Sequence, residues 1–484
     1  MIAIFLISIK KYLGNRGTHT YYEKKLSPSI ACMRPQINLS LWKHHAESII
    51  QYVRICFMRE DAKSEEKIWD VAVIGGGPAG MVAAGRAAEL GARVILLEKN
   101  DSLGKKLLIT GGGRCNVTNA EFDTRKFLSK FGKDGKFLFS AFSRFAVKET
   151  IDFFNSRNME TKVEAENRVF PASGSSKSVW DVLVKYMSRQ GVTILFNSPA
   201  DGFVKKGGHI KAVRLKDGGE IEARAFILAT GGMSRPETGS TGEGFDWLSN
   251  IGHTIVKQGS ALVPISVKDA WVKRLQGISL PNVKISIIQN GKKQVTQTGK
   301  MLFTHFGLSG PAILNMSRDV GEALKYGNVS LSLDVLPSFD YAKLDSKLKE
   351  ILKESINKKF KNCLGSLLPA ELSPVMADLS GINPEVFCHS VTRSERIAFG
   401  KLLKNIPFQV KGLLGANKAI VTSGGVALTE IDFKNMSSRL FPNLYLVGDV
   451  LNINRPSGGY SLQLCWTTGM VAGEAATTAS KTAK

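Results

Sequence analysis

Apolar blocks separated by glycine set the first recognisable rhythm of this chain. Trp69–Ile74 is a short apolar run, the pattern of a strand buried in a parallel sheet. Gly75–Gly77 breaks it, and Pro78 stands where a first helical residue belongs. Ala79–Leu90 is an Ala-rich helical stretch closed by Gly91, and Arg93–Leu97 is a second strand. Strand, turn, helix and strand within fewer than 30 residues predict a βαβ unit. Further on, the pattern predicts a helix over Ser176–Arg189 and strands over Val192–Phe196, Ile210–Leu215 and Ala225–Ala229, the last ending at Thr230-Gly231-Gly232. Val283–Gln289 alternates as a strand, with a hairpin tip at Gly291-Lys292. Tyr341–Lys361 carries Leu344, Leu348, Ile351, Leu352 and Ile356 at helical spacing, with its lysines on a solvated face. The buried-strand pattern returns at Leu444–Val447, before a helix from about Ser461.

Composition narrows the class. The chain has 484 residues, 43% of them apolar, which excludes wholesale disorder and collagen-like sequence. Its six cysteines are scattered without a CxxC pair, which argues against a zinc site or disulfide scaffold and for a reducing, cytoplasmic setting. No apolar run reaches the roughly 18 residues of a membrane span. With 65 Lys+Arg against 42 Asp+Glu the net charge is +23, which suits nucleic acid, anionic membrane, acidic substrates or simply a soluble surface. The first 59 residues hold nine Lys/Arg and two acidic residues, Glu23 and Glu47. They read as a translation start placed too early (the true start being Met58 or Met33), as an organellar transit leader, or as a folded module.

Gly75-Gly76-Gly77-Pro78-Ala79-Gly80 is a G-x-G-x-x-G between a predicted strand and a predicted helix. Its glycines permit a tight turn, close backbone approach to a pyrophosphate, and helix–strand packing. The helix N-terminus adds free N–H groups and a positive dipole. Glu98 ends the second strand 18 residues after Gly80, where a carboxylate can accept both hydroxyls of an adenosine ribose. Those features alone do not separate NAD from FAD. A second glycine-rich stretch follows, with Lys105, Lys106, Gly111, Gly112, Gly113, Arg114, Cys115 and Asn116, suited to further phosphate or a flavin edge. Gly448-Asp449 after a buried strand can set a carboxylate against a polyol such as ribitol. Gly458-Gly459-Tyr460-Ser461-Leu462 opens a helix whose N–H groups could face an electron-rich flavin edge.

With Thr110–Asn119, Thr238–Gly244, Phe303–Pro311 and Gly458–Gln463, the chain resembles the BaiN/YhiN-like NAD(P)/FAD-dependent oxidoreductases, also described as aminoacetone-oxidase-family FAD-binding flavoproteins. The resemblance spans about Ile68 to Gly473. It implies an α/β fold: a doubly wound, Rossmann-like FAD-binding domain, discontinuous, with an inserted β-rich subdomain and a small helical subdomain. The implied boundaries are a leader over 1–66, FAD-binding domain over 67–258 and 418–484, β-rich insert over 259–340 and 406–417, and helical insert over 341–405. Family roles fall on Gly75, Gly77, Ala79 and Gly80 at the pyrophosphate and on Glu98 at the adenosine ribose, with Pro78 and Lys99 among the cofactor-binding residues. Ala200, at the end of an edge strand, would touch adenine. Lys105, Lys106 and Gly111–Asn116 would surround diphosphate and flavin, with Thr230 and Gly231 nearby. Gly448 and Asp449 would hold ribitol, and Gly458, Gly459, Tyr460, Ser461 and Leu462 the flavin edge. Family members usually have Glu where this chain has Asp449 and Asn where it has Ser461.

Catalytic residues stay open. Cys115 is a redox thiol or a small residue in a crowded loop, His305 a proton donor or a structural hydrogen-bonder, and Tyr460 a general acid or a packing ring. Arg114 suits a carboxylate substrate or FAD phosphate. The expectation is an FAD-dependent oxidoreductase that passes hydride through flavin N5 to a small or hydrophobic substrate. NAD(P)H is the expected reductant and, without a second dinucleotide motif, a transient visitor. The alternatives are an O2-using amine oxidase and a flavin-holding RNA- or ribosome-binding protein without turnover. The lysine-rich stretches lack interleaved aromatics, so they give no strong sign of nucleic acid.

Overall fold

The computed structural model describes residues 68–414 and 421–482; the leader expected over 1–66 lies outside them. The chain enters the core at once. Strand β1 (Trp69–Ile74) is buried along its whole length, as its unbroken apolar run requires. Helix α1 (Pro78–Glu89) follows, then β2 (Val94–Leu97) and the short α2 (Lys105–Ile109). After an aromatic-rich excursion come α3 (Ser176–Arg189), β3 (Thr193–Leu195), β4 (Ala200–Lys206), β5 (His209–Leu215), β6 (Glu220–Leu228) and α4 (Glu243–Asn250). Strands β6, β1, β2 and β3 lie parallel in that order. Two features differ from the periodicity. Ala200 opens a hairpin strand instead of closing an edge strand, and β6 starts five residues before Ala225 because Glu220–Glu222 pair with β5.

The chain then leaves the sheet through Ile255–Ala261, which pairs antiparallel with the returning segment Val421–Val426. Between them lies a closed six-stranded barrel: β7 (Ile265–Val267), β8 (Ser279–Gln289), β9 (Lys292–Thr304), β10 (Gly307–Ser309), β11 (Ser330–Asp334) and β12 (Ile406–Leu413). Helix α5 (Pro311–Leu324) joins its core through Ala312, Ile313, Met316 and Val320. The helical insert, with α6 (Tyr341–Glu354) and α7 (Arg393–Lys404), connects β11 to β12. The helix expected to reach Lys361 stops at Glu354. Phe360 is drawn into the core against Phe399, 5.2 Å between ring centroids, and Ile356 is left exposed.

Back in the main sheet, β13 (Leu444–Leu446) lies parallel to β6 on the side away from β1. Helix α8 (Tyr460–Thr482) closes the fold against α1. These two helices cross so tightly that a Cβ on Gly469 or Gly473 would stand 2.6 or 2.5 Å from the carbonyl oxygen of Ala79 or Ala83. That contact fixes α1, and with it the glycine turn at its N-terminus. Among the described residues no helix is long and apolar enough to cross a membrane.

Candidate FAD groove

The C-terminal ends of β1, β2, β6 and β13 converge on one groove that is open to solvent. Its floor is the glycine turn. Gly75 has φ +105°, and a Cβ there would stand 2.6 Å from the Ala229 oxygen. Gly80 lies beneath the turn, where a Cβ would meet the Gly75 oxygen at 1.9 Å. Gly77 caps α1 without a side-chain hydrogen bond, so the first amides of the helix stay open to an anion, and among the described residues none beyond its chain neighbours stands within 4 Å of where its Cβ would be.

Glu98 is buried at the end of β2. Its Oε2 accepts from the Gly76 N–H at 2.8 Å, and its Oε1 accepts from the backbone and side-chain amides of Asn100 at 2.8 and 2.7 Å. A carboxylate offers about four acceptor sites, so roughly one remains for a sugar hydroxyl unless the Asn100 side chain yields. The Asn100 amide also donates to the Thr238 carbonyl at 3.2 Å. Lys99 reaches Glu243 at 2.8 Å and the Thr241 hydroxyl at 2.7 Å, closing the loop 238–243 over this end. Ala200 lines the groove here.

At the other end, three charges meet. Lys106 lines the groove beside Asp449, and burial pushes its ammonium below the ordinary lysine value while Asp449 opposes the shift. Arg455, with its side chain almost wholly buried, is ion-paired with Asp449 and donates to the Ser461 hydroxyl at 3.1 Å. Its other partner is the Ile453 carbonyl. Lys105 also lines the groove and pairs with Asp101 at 2.9 Å. Between the two ends, Thr230 and Gly231 line the wall, and the buried Thr230 hydroxyl has no hydrogen-bond partner among the described residues. The unpartnered Thr230 hydroxyl, open helix amides and Lys106 as donors, with Asp449 as an acceptor backed by Arg455, fit a diphosphate joined to a polyol.

The structure therefore brings Gly75, Gly77, Pro78, Ala79, Glu98, Lys99, Lys105, Lys106, Ala200, Thr230, Gly231 and Asp449 onto one groove. Other expected residues sit elsewhere. Arg114 pairs with Glu164 at 2.5 Å and lies over the Phe170 ring at 4.3 Å. Gly111, Gly112 and Gly113 form a left-handed turn, and Cys115 is fully buried at φ +60°, its thiol pushed up to about 12 by burial. Asn116, with its amide donating to the Thr118 and Val169 carbonyls, accepts from the Gly459 N–H at 3.0 Å and ties this loop to the start of α8. Gly448 donates to the Thr468 hydroxyl at 3.0 Å. Leu462 is buried, and Gly458 accepts from Asn119 at 3.4 Å. The Tyr460 ring packs on Phe127 (4.7 Å) and Phe131 (5.9 Å), and burial raises its hydroxyl pKa. His305 is exposed on the turn between β9 and β10.

Sequence reasoning missed Arg455 and Asn315. The only signal for Arg455 was a lone cation between Gly448-Asp449 and Gly458-Gly459. Asn315 on α5 accepts at Oδ1 from the Ser457 N–H (2.9 Å) and hydroxyl (3.1 Å), docking the barrel onto the loop before α8; its sequence context carried no signal. Among the described residues, no group of His, Cys, Asp and Glu could hold a metal ion.

Phosphate donors at one end of a Rossmann groove and a charge cluster at the other fit a dinucleotide cofactor, and by its family and relatives the chain is an FAD-dependent oxidoreductase. More narrowly, residues 69–475 match the HI0933-like protein Rossmann domain, and the chain belongs to that family. It is 30% identical over 411 residues to the 3-dehydro-bile acid delta(4,6)-reductase of Clostridium scindens, covering 84% of this chain and 98% of that one. It is 29% identical over 406 residues to the ribosomal RNA dihydrouridine synthase of Escherichia coli, covering 83% and 96%. A solved 3-ketosteroid delta1-dehydrogenase from Sterolibacterium denitrificans shares the fold at 13% identity and a TM-score of 0.50, over 85% of this chain and 99% of that one.

Proposed function

We propose that this chain is a reductase that takes hydride from NAD(P)H and adds it, with a proton drawn from solvent, across a carbon–carbon double bond conjugated with a carbonyl. FAD, when bound, supplies the relay that accepts hydride at one moment and gives it up at another. The observation that carries the reading is the partly buried Lys106–Asp449–Arg455 cluster, next to what two relatives of similar identity are named for. A steroid reductase and a dihydrouridine synthase both add two hydrogens across a double bond, on otherwise unlike molecules. Lys106 and Arg455 provide positive potential, and Asp449 an acceptor for sugar hydroxyls. Glu98 and the amides of α1 anchor the far end of the dinucleotide. Only one dinucleotide turn occurs in the sequence, so the nicotinamide would visit and leave.

Two readings of the substrate follow from the relatives, a steroid-like enone and a uridine within RNA. The net charge of +23 is compatible with RNA, as with other anionic partners. Anaerobic mixing of the FAD-loaded protein with NADH, NADPH and a panel of amines tests the reductase reading. Bleaching by a nicotinamide supports it; bleaching by amines alone would make the protein an oxidase and overturn it. Product mass after turnover with a uridine-containing RNA or a steroid enone then identifies the substrate class.

A further inference from the structure

Charge on the barrel is distributed in a way that the sequence does not reveal. The lysine-rich segment Tyr341–Lys361 looks like the basic face, yet five of its seven lysines are neutralised. Lys343 pairs with Asp340 (4.0 Å), Lys347 with Glu350 (2.7 Å) and Lys349 with Asp345 (3.0 Å), while Lys359 and Lys361 share Glu385. The two lysines push the Glu385 carboxyl down to about 2. By contrast, the 49 residues from Ala270 to Arg318 contain seven Lys/Arg and no acidic residue. Arg274 there pairs with Asp378, but Lys273, Lys284, Lys292, Lys293 and Lys300 are exposed and make no ion pair among the described residues. Lys284 lies across from Asp334, whose carboxylate Lys404 takes at 2.6 Å.

Four of these lysines sit on the long β8–β9 ribbon: Lys284 on β8, Lys292 and Lys293 at its tip, and Lys300 near its base. At about 3.3 Å per residue, the lysines from Lys292 to Lys300 are spread over roughly 25 Å. The base is tied to the loop that precedes α8. A Cβ on Gly310 would lie 3.0 Å from the Lys300 oxygen, so the start of α5 rests on this strand. Asn315, about 8 Å further along α5, holds Ser457 just before Gly458-Gly459. Between the lysines the exposed side chains are polar, including Asn282, Asn290, Gln294, Thr296 and Thr298. No large apolar side chain between Ala270 and Arg318 is exposed, whereas an element that docks on a lipid surface inserts such side chains.

Resting on the reductase reading above, we propose that the β8–β9 ribbon is the track along which an RNA strand lies while one of its bases reaches the groove. Unpaired lysines would contact phosphates, and the intervening amides and hydroxyls the sugars.

The test uses the FAD-loaded full chain and a fluorescein-labelled RNA stem-loop with uridines in the loop, followed by anisotropy across a KCl series. The triple variant Lys292→Glu/Lys293→Glu/Lys300→Glu is compared with Lys343→Glu/Lys347→Glu/Lys353→Glu on α6, with flavin absorbance and thermal unfolding confirming that both variants fold. The expected result is a tenfold or greater loss of RNA affinity for the ribbon variant. Its log–log salt slope should flatten by about 2, near 0.7 per phosphate contact for three lysines. The α6 variant should bind much more nearly like the parent. Equal binding by the ribbon variant and the parent would overturn the proposal, as would parent binding to anionic vesicles in preference to RNA. A parent that fails to bind RNA but is bleached by NAD(P)H would sink the track and leave the reductase standing. RNA binding without nicotinamide bleaching would do the reverse.

Discussion

Arg455 is the residue whose removal most sharply tests how the groove is built. Its side chain is 1% exposed, is ion-paired with Asp449, and also bonds Ser461 and the Ile453 carbonyl. In Arg455→Met a similar volume remains, but Asp449 loses its partner and two polar groups lose a donor. Breaking a buried pair from one side costs about 3–5 kcal/mol. Asp449 is 15% exposed and has Lys106 nearby, which places the expected loss at the lower end, about 3 kcal/mol. With unfolding entropy near 2.1 cal/mol/K per residue, a fold of roughly 400 residues would lose about 4 °C in Tm. Arg455→Met/Asp449→Asn removes both charges and should be more stable than Arg455→Met alone. The assay is thermal unfolding of the FAD-free protein for parent, both single variants and the double, read as a double-mutant cycle. Losses that simply add to within about 0.5 kcal/mol would refute the argument that Arg455 holds Asp449 in place.

Three other outcomes are expected. Glu98→Gln sets an amide N–H2 against donors at Gly76 or Asn100, so FAD should dissociate about ten- to a hundredfold more readily, at about 1.5–3 kcal/mol for a charge-assisted hydrogen bond; a dissociation constant within twofold of the parent's, by flavin fluorescence, would remove Glu98 from the ribose. His253 donates from Nδ1 to Glu430 (2.7 Å), its Nε2 accepts from Ser438 (2.9 Å), and burial holds its pKa below 6.5 despite Glu430. The unfolded chain therefore takes up this proton first as pH falls, so stability should decline below about pH 6.5. The lowered Glu430 carboxyl adds stability above 4.5 that is lost at more acidic pH, as pH falls through its folded value. Urea midpoints from pH 8 to 5 should fall less steeply for His253→Gln, and parallel curves would contradict the assignment. Cys115, with its pKa pushed up to about 12, should resist iodoacetamide at pH 8 in the folded protein; labelling by mass spectrometry at the rate of a free thiol would show that the loop opens.

The parts legible in the sequence are those governed by neighbouring residues. The turn Gly75–Gly80 could be read because backbone conformation and close packing demand glycine locally, and Glu98 because a strand of known length delivers it to the same edge. Hydrophobic spacing located β1, β2, α3 and α8 because burial on one or both faces leaves a period. The barrel left only a trace: its shortest strands, β7 and β10, have three residues each, too few to show a period. Lys361 was drawn into a helix that ends at Glu354, because periodicity does not register that Phe360 finds a better place in the core.

By itself, then, the sequence determined a Rossmann βαβ unit, its glycine turn and the carboxylate beside that turn, since each follows from short-range backbone geometry. Tertiary structure alone decided which charges meet. It joined Arg455 to Asp449 beside Lys106, turned Arg114 away to Glu164, and neutralised three of the four lysines of α6 while leaving those of the β8–β9 ribbon without an ion pair among the described residues. Electrostatic partnership depends on distance in space and on desolvation, and neither is written in the spacing of residues along the chain.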